Sequence, residues 1–255
     1  MFSASILILG SLVACNNEQN SSSTGQDKTT SAQVTTQPGQ ENKESNEGTT
    51  QETKFWSSAN KEVKLSETTD GVIVDVNGSQ KKFDWKILSG VSEPKVSYVD
   101  LTGDGKEEAV IILVTGHGTN LDTNEAHVLN GENLTEIKIQ SAEEILADLE
   151  TEVNQKGDEL LIKAKAQGKE YKFSKKVSDL KLVNPDDKFE NKLYFGDMIL
   201  NNVKDQKLAV DIGGFVKPTN GVLPEYVCTV HVTYKYDQAL NEFVADQIEI
   251  TNPYE

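Results

Sequence analysis

Cysteine is nearly absent from this sequence. Cys15 and Cys228 are the only two, so a disulfide-stapled scaffold is excluded and one bridge is the most the chain could form. Clusters of cations are missing too. Lysine and arginine number 25 against 41 aspartates and glutamates, a net charge of −16. Nucleic-acid binding needs clustered cations to displace counterions, so that class of partner is excluded. The same balance argues against a domain lying flat on anionic lipid. Catalytic signatures are equally scarce. There is no G-x-S-x-G elbow, no phosphate-cradling G-x-x-x-x-G-K-[ST] and no H-E-x-x-H. His117, His127 and His231 are scattered without metal-ligand spacing. Acidic pairs are so numerous that none stands out as a glycosidase pair.

What is present begins at the N-terminus. Residues 6–13 form an apolar run broken only by Gly10 and Ser11. It is too short for a membrane-spanning helix, which takes about 20 apolar residues, and its position and small-residue ending suit a signal-peptide core. Leu12, Val13, Ala14 and Cys15 resemble the bacterial lipobox. That resemblance implies a signal peptide at 1–14, acylation of the Cys15 thiol by two or three chains, and anchoring on the extracellular face of the cell membrane. One departure is the lack of Lys or Arg before the apolar run. At about 0.8 kcal/mol per buried methylene, two or more chains hold firmly where one does not. With Cys15 acylated, Cys228 has no disulfide partner. Alternation along 226–234 puts Cys228 on one face with Tyr226, Val230, Val232 and Tyr234, as a small buried hydrophobe.

Residues 16–54 are Ser, Thr, Gln, Asn and Glu with almost no apolar side chains. Such a segment cannot bury enough surface to offset its chain entropy, and it reads as a disordered linker. A flexible coil of this length reaches about 35 Å, enough to lift a folded domain off the membrane. It holds six acids and three bases, so −13 of the net −16 belongs to residues 55–255.

From Phe55 onward β signals dominate. Residues 71–76 and 79–85 flank Asn77-Gly78, the signature of a type I′ hairpin. Short strands are expected at 96–99, 109–114, 125–129 and 134–139, four antiparallel strands within 44 residues, with Asn130-Gly131 as a second hairpin signal. The continuous apolar run 109–114 predicts a strand buried on both faces. Further strands are expected at 159–164, 170–173, 180–183, 192–195, 207–212, 226–236 and 242–250. Ser141 and Glu144 form a capping box. Ala142, Ile145, Leu146, Leu149 and Val153 then make an apolar stripe that predicts one amphipathic helix ending near Gly157. The fold class is therefore mainly β: antiparallel sheets, propeller-blade-like or sandwich, with one helix.

One segment carries recognisable chemistry. Counting Asp100 as position 1, Thr102 falls at 3, Asp104 at 5, Gly105 at 6, Lys106 at 7 and Glu108 at 9. Alternate residues of a tight loop can converge oxygens on a calcium ion, with glycine allowing the sharp turn. Thr102 stands where an EF-hand has Asp or Asn, and Ile111 where it has a bidentate Glu. The flanks are strands. Over residues 97–139 this arrangement resembles the FG-GAP or VCBS-type repeat, and residues 114–119 with the C-terminal part from about Lys192 resemble extracellular lipoproteins of the Firmicute type carrying one such motif. The resemblance implies calcium held by Asp100, Thr102, Asp104, Lys106 through its carbonyl, and Glu108. An acidic turn capped by Asp100, without metal, is the competing reading of the same residues.

These features together predict a membrane-anchored extracellular lipoprotein with a non-enzymatic, calcium-stabilised binding or adhesion-type β domain. Its partner is an extracellular or cell-wall ligand. The alternative is a cell-wall-directed hydrolase or accessory factor using paired carboxylates. A deep cleft with two convergent carboxylates would favour the second.

Overall fold

The computed structural model describes residues 54–252 except 182, 183, 185 and 222. The signal peptide expected at 1–14, Cys15 and the expected linker up to residue 53 lie outside the described residues, as do residues 182–183 of the strand expected at 180–183. The described residues all fall within one compact unit, Thr50–Glu255.

The chain opens with a four-stranded antiparallel sheet of β1 (Phe55–Ser57), β2 (Val63–Thr68), β3 (Gly71–Val76) and β4 (Ser79–Phe83), in that order. Asn77 and Gly78, both at positive φ, connect β3 to β4 in two residues, as the sequence predicts. Val63 and Leu65 alternate on β2, and Val72, Val74 and Val76 on β3, so one face of this sheet is wholly apolar and buried.

Next come β5 (Lys95–Val99), β6 (Glu108–Gly118), β7 (Leu121–Asn130) and β8 (Glu136–Ile139), a meander of antiparallel neighbours. A short helix, α1 (Ala142–Ala147), follows. After it β9 (Glu150–Lys156), β10 (Glu159–Ala166) and β11 (Lys169–Lys176) form a three-stranded sheet. The last four strands are β12 (Met198–Lys204), β13 (Lys207–Val216), β14 (Glu225–Asp237) and β15 (Glu242–Thr251).

The blade-like meander does not stand alone. It belongs to an eight-stranded sheet ordered β12-β13-β14-β15-β8-β7-β6-β5. β12 also pairs in parallel with the start of β7, through Met198↔Asp122 and Ile199↔Thr123. That contact closes β12, β13, β14, β15, β8 and β7 into a ring, from which β6 and β5 extend outward.

β6 is the wall between two cores. Its odd-numbered residues Ala109, Ile111 and Leu113 pack with Val63, Leu65, Val72 and Val74 of the first sheet. Its even-numbered Val110 and Ile112 join the larger core, with Val210, Ile212, Val230 and the inner face of β10. Period-two alternation with both sets apolar explains why this strand reads as an unbroken run. Leu160, Ile162, Ala164 and Ala166 give β10 its single buried face.

Three expectations need correction. The capping box is present, with Ser141 Oγ accepting from the Glu144 N–H, but α1 is only six residues long and ends at Asp148. Leu149 precedes β9 and Val153 lies within it, while Gly157, at positive φ, turns the β9–β10 hairpin. Pairing with β10 outcompetes the last two helical turns. At 180–183, Leu180 ends a one-turn 3₁₀ helix and is not in a strand. Within 192–195 the ladder is reduced to an isolated bridge, Tyr194↔Phe215.

Cys228 is fully buried, and burial pushes its thiol up to about 12. A register shift between Gly214 and Phe215 breaks the alternation beside it. Tyr226 consequently leaves the buried face that Cys228, Val230, Val232 and Tyr234 share. Among the described residues no helix is long and apolar enough to cross a membrane.

Candidate functional site

The loop between β5 and β6 carries the predicted ligand set. Its anchor is Glu108, the first residue of β6. Glu108 is 1% exposed, which is rare for a carboxylate. Its Oε2 accepts the N–H groups of Leu101 (2.8 Å) and Thr102 (3.2 Å). Burial pushes its pKa up, those two amides pull it down, and the neighbouring charges of Asp104 and Asp100 raise it again; the net direction is upward. Asp100 wraps the start of the loop, Oδ1 accepting from Gly103 N–H at 2.7 Å and Oδ2 from Gly105 N–H at 2.9 Å. Asp104 Oδ1 accepts from Lys106 N–H at 2.8 Å. The Lys106 ammonium lies 2.9 Å from Glu132 Oε2 and gives the loop's carboxylates no hydrogen bond. Gly105 sits at φ +84° with open space around it, so its left-handed turn, and not crowding, calls for glycine.

Thr102 completes the set. Its hydroxyl is buried and has no hydrogen-bond partner, a condition that costs about 1–3 kcal/mol unless a ligand or ordered water meets it. Among the described residues no three His, Cys, Asp or Glu side chains form a group able to hold a metal. The loop's own amides already occupy the carboxylates of Asp100 and Asp104. Each carboxylate oxygen keeps a second lone pair, so an amide and a cation can share it. Carboxylate oxygens of Asp100, Asp104 and Glu108 and the Thr102 hydroxyl are the side-chain oxygens that this loop could offer a cation.

The loop forms one wall of a cleft of about 490 Å³. Asn130 and Asn133 line it from the β7–β8 turn, and Tyr236 and Asn241 from the β14–β15 turn. The parallel pairing of β15 with β8 at Glu242↔Lys138 brings those two turns to the same end of the sheet. Gly131 locks the first of them against the loop. A Cβ there would stand 2.2 Å from the Glu107 carbonyl oxygen and 2.8 Å from Tyr98 Oη. The Asn130-Gly131 signal thus marks a close approach. Its turn runs five residues, to Thr135, with Leu134 at positive φ and its N–H on the Asn130 carbonyl.

His127 sits elsewhere, on the β7 face that belongs to the smaller core. Its ring stacks on Trp85 at 3.7 Å, and Trp85 stacks on Phe83 at 4.1 Å. Nδ1 is 2.7 Å from Glu136 Oε1. Glu125 Oε1 lies 3.2 Å from Nε2 as an ion-pair contact outside hydrogen-bond geometry. Burial lowers the pKa, but Glu125 and Glu136 outweigh it and raise it overall. The two carboxylates flank opposite ring nitrogens, so they cannot close with the ring on one metal ion. His231 bridges Asp211 (2.7 Å) and Thr251 (2.8 Å) across β13–β15. His117 lies exposed near the end of β6, opposite Asp122. Of this site, the sequence signalled the loop but not Tyr236, Asn241 or the packing role of Gly131. Comparison of the chain with protein-family models, curated proteins and solved structures yields no match.

Proposed function

We propose that this chain is an extracellular lipoprotein, tethered through Cys15, whose β domain is a non-enzymatic binding module stiffened by calcium at the Asp100–Glu108 loop. The observation that carries the reading is Glu108. A buried carboxylate with its pKa raised by burial, beside Asp100 and Asp104 and with no ammonium hydrogen-bonded to it, is a local excess of negative charge that the single Lys106, paired to Glu132, does not offset. A bound cation relieves it. Asp100, Thr102, Asp104, Lys106 and Glu108 would hold the ion, and the ion would supply positive charge at those carboxylates. Titration calorimetry tests the loop: one weak calcium site is expected, absent in Asp104→Ala, and no heat at millimolar calcium would refute it. Cell fractionation tests the anchor. Cys15→Ala should release the protein from membranes, and its retention after a salt wash would place the anchor elsewhere.

A second reading, a cell-wall-directed hydrolase, has one observation in its favour: Glu108 and Asp104 both line the cleft. Glu108 is nearly inaccessible and its Oε2 holds two amides, which suits a structural anchor better than a proton donor to a leaving group. Clearing of a cell-wall suspension, abolished by Glu108→Gln, would favour the hydrolase. The binding-module reading expects no clearing.

A further inference from the structure

The cleft beside the loop holds more polar side chains than one cation needs. Asn130 Oδ1 accepts from the N–H groups of Glu132 and Asn133, at 3.1 and 3.2 Å, and Asn133 Oδ1 accepts from Thr135 N–H at 2.8 Å. The carbonyl ends of both amides are thereby spent on the turn. Their Nδ2 groups, two N–H donors each, remain for a ligand. Tyr236 donates its hydroxyl to Asn241 Oδ1 at 2.7 Å and leans on Phe243 with ring centres 5.4 Å apart. Its ring is therefore held in place from two directions.

The charge of the lining narrows the ligand class. Asp104 and Glu108 contribute negative charge, among the described residues no lysine or histidine lines the cleft, and the sequence contains no arginine. An anionic ligand would meet repulsion without compensation. An apolar ligand would strip water from several amide donors and return nothing, at a cost for each. A ligand with many neighbouring hydroxyls offers acceptors to the asparagines and donors to the exposed Asp104 carboxylate at once. A ring with an apolar C–H face matches the fixed aromatic of Tyr236. The volume, about 490 Å³, falls in the range of small-ligand sites.

We propose that this cleft binds a neutral oligosaccharide. The proposal rests on the reading of the domain as a binding module and names its ligand class. The test is two-dimensional amide NMR of the full-length chain. The probes are neutral tetrasaccharides of glucose, galactose, mannose and N-acetylglucosamine, with a sulfated tetrasaccharide as the anionic control, each in calcium and in EGTA. At least one neutral probe should give saturable shifts confined to residues 102–108, 130–135 and 236–241. Asn133→Ala, an exposed turn substitution, should weaken binding about tenfold, the equivalent of about 1.4 kcal/mol. Tyr236→Ala should weaken it at least as much, and Tyr236→Phe less. Three outcomes would overturn the proposal: no shift with any neutral probe at millimolar concentration, shifts lying outside these turns, or a stronger response to the sulfated probe. Calcium-induced shifts at 100–108 without sugar are read separately. Their presence alongside silent sugars would sink the oligosaccharide proposal and leave the calcium reading standing.

Discussion

Two carboxylate clusters sit along the same strand pair. Near the middle of β6 and β7, where Ile111 faces His127 and Leu113 faces Glu125, Glu125 and Glu136 converge on an imidazole. At the start of β6, where Glu108 faces Asn130, Glu108 and Asp100 meet backbone N–H groups and the Lys106 ammonium turns aside to Glu132. The first cluster holds a titratable imidazole, which stacks on Trp85. The second is held by dipoles alone, which orient carboxylates without cancelling their charge. One cluster thus has a titratable side chain between its carboxylates, and the other has only backbone amides.

The loop cluster should be the more fragile when its anchor is removed. Glu108→Ala takes the acceptor away from two amides and opens a cavity, and should cost about 2–4 kcal/mol in urea unfolding. Glu108→Gln keeps an acceptor oxygen and should cost clearly less. Equal losses would mean that the charge of Glu108, and not its hydrogen bonding, holds the loop. Gly131→Ala drives a methyl group into the Glu107 carbonyl. It should cost about 1–3 kcal/mol, and amide shifts should spread from 131 into 100–108. A neutral outcome would show that the turn and the loop move independently.

The histidine cluster should respond to pH. His127 has a folded pKa above its ordinary 6.5, so the folded state favours the charged ring. Its stabilisation is fully present below 6.5 and is lost as pH rises through the elevated folded value. His127→Gln should cost about 1.5 kcal/mol on the acid side and flatten the decline on the alkaline side. An unchanged pH profile in His127→Gln would contradict the coupling of His127 to Glu125 and Glu136.

The parts of this fold that are legible in sequence are the local ones. The unbroken run at 109–114 announces a strand with two buried faces. Asn77-Gly78 announces its turn, and Ser141 with Glu144 announces the start of α1. The end of α1 is not legible, because Leu149 and Val153 suit both a helical stripe and the entry to β9, and only pairing with β10 decides. The ring closure through Met198 and Ile199 on β7 has no local signal at all. Neither does the stack of His127 on Trp85, 42 residues away in the chain. In the loop, residue types and spacing announce a tight acidic turn, with Asp100 accepting from Gly103 and Gly105. The burial of Glu108 and the free hydroxyl of Thr102 emerge only when β6 is placed between two cores.

The carboxylates of Asp100 and Glu108 hydrogen-bond to amides and to no ammonium, and on the proposed function calcium supplies the missing countercharge. Thermal melting in EGTA, calcium and magnesium tests it most directly. Calcium at about five times its Kd should add about 1 kcal/mol, raising the midpoint by a few degrees. Magnesium should do much less, because it demands tighter octahedral geometry. Asp104→Ala should erase the calcium shift, and Thr102→Asp should enlarge it. Identical midpoints in all three conditions, for the natural sequence and for Thr102→Asp alike, would contradict the account and leave the loop an acidic turn held by its own amides.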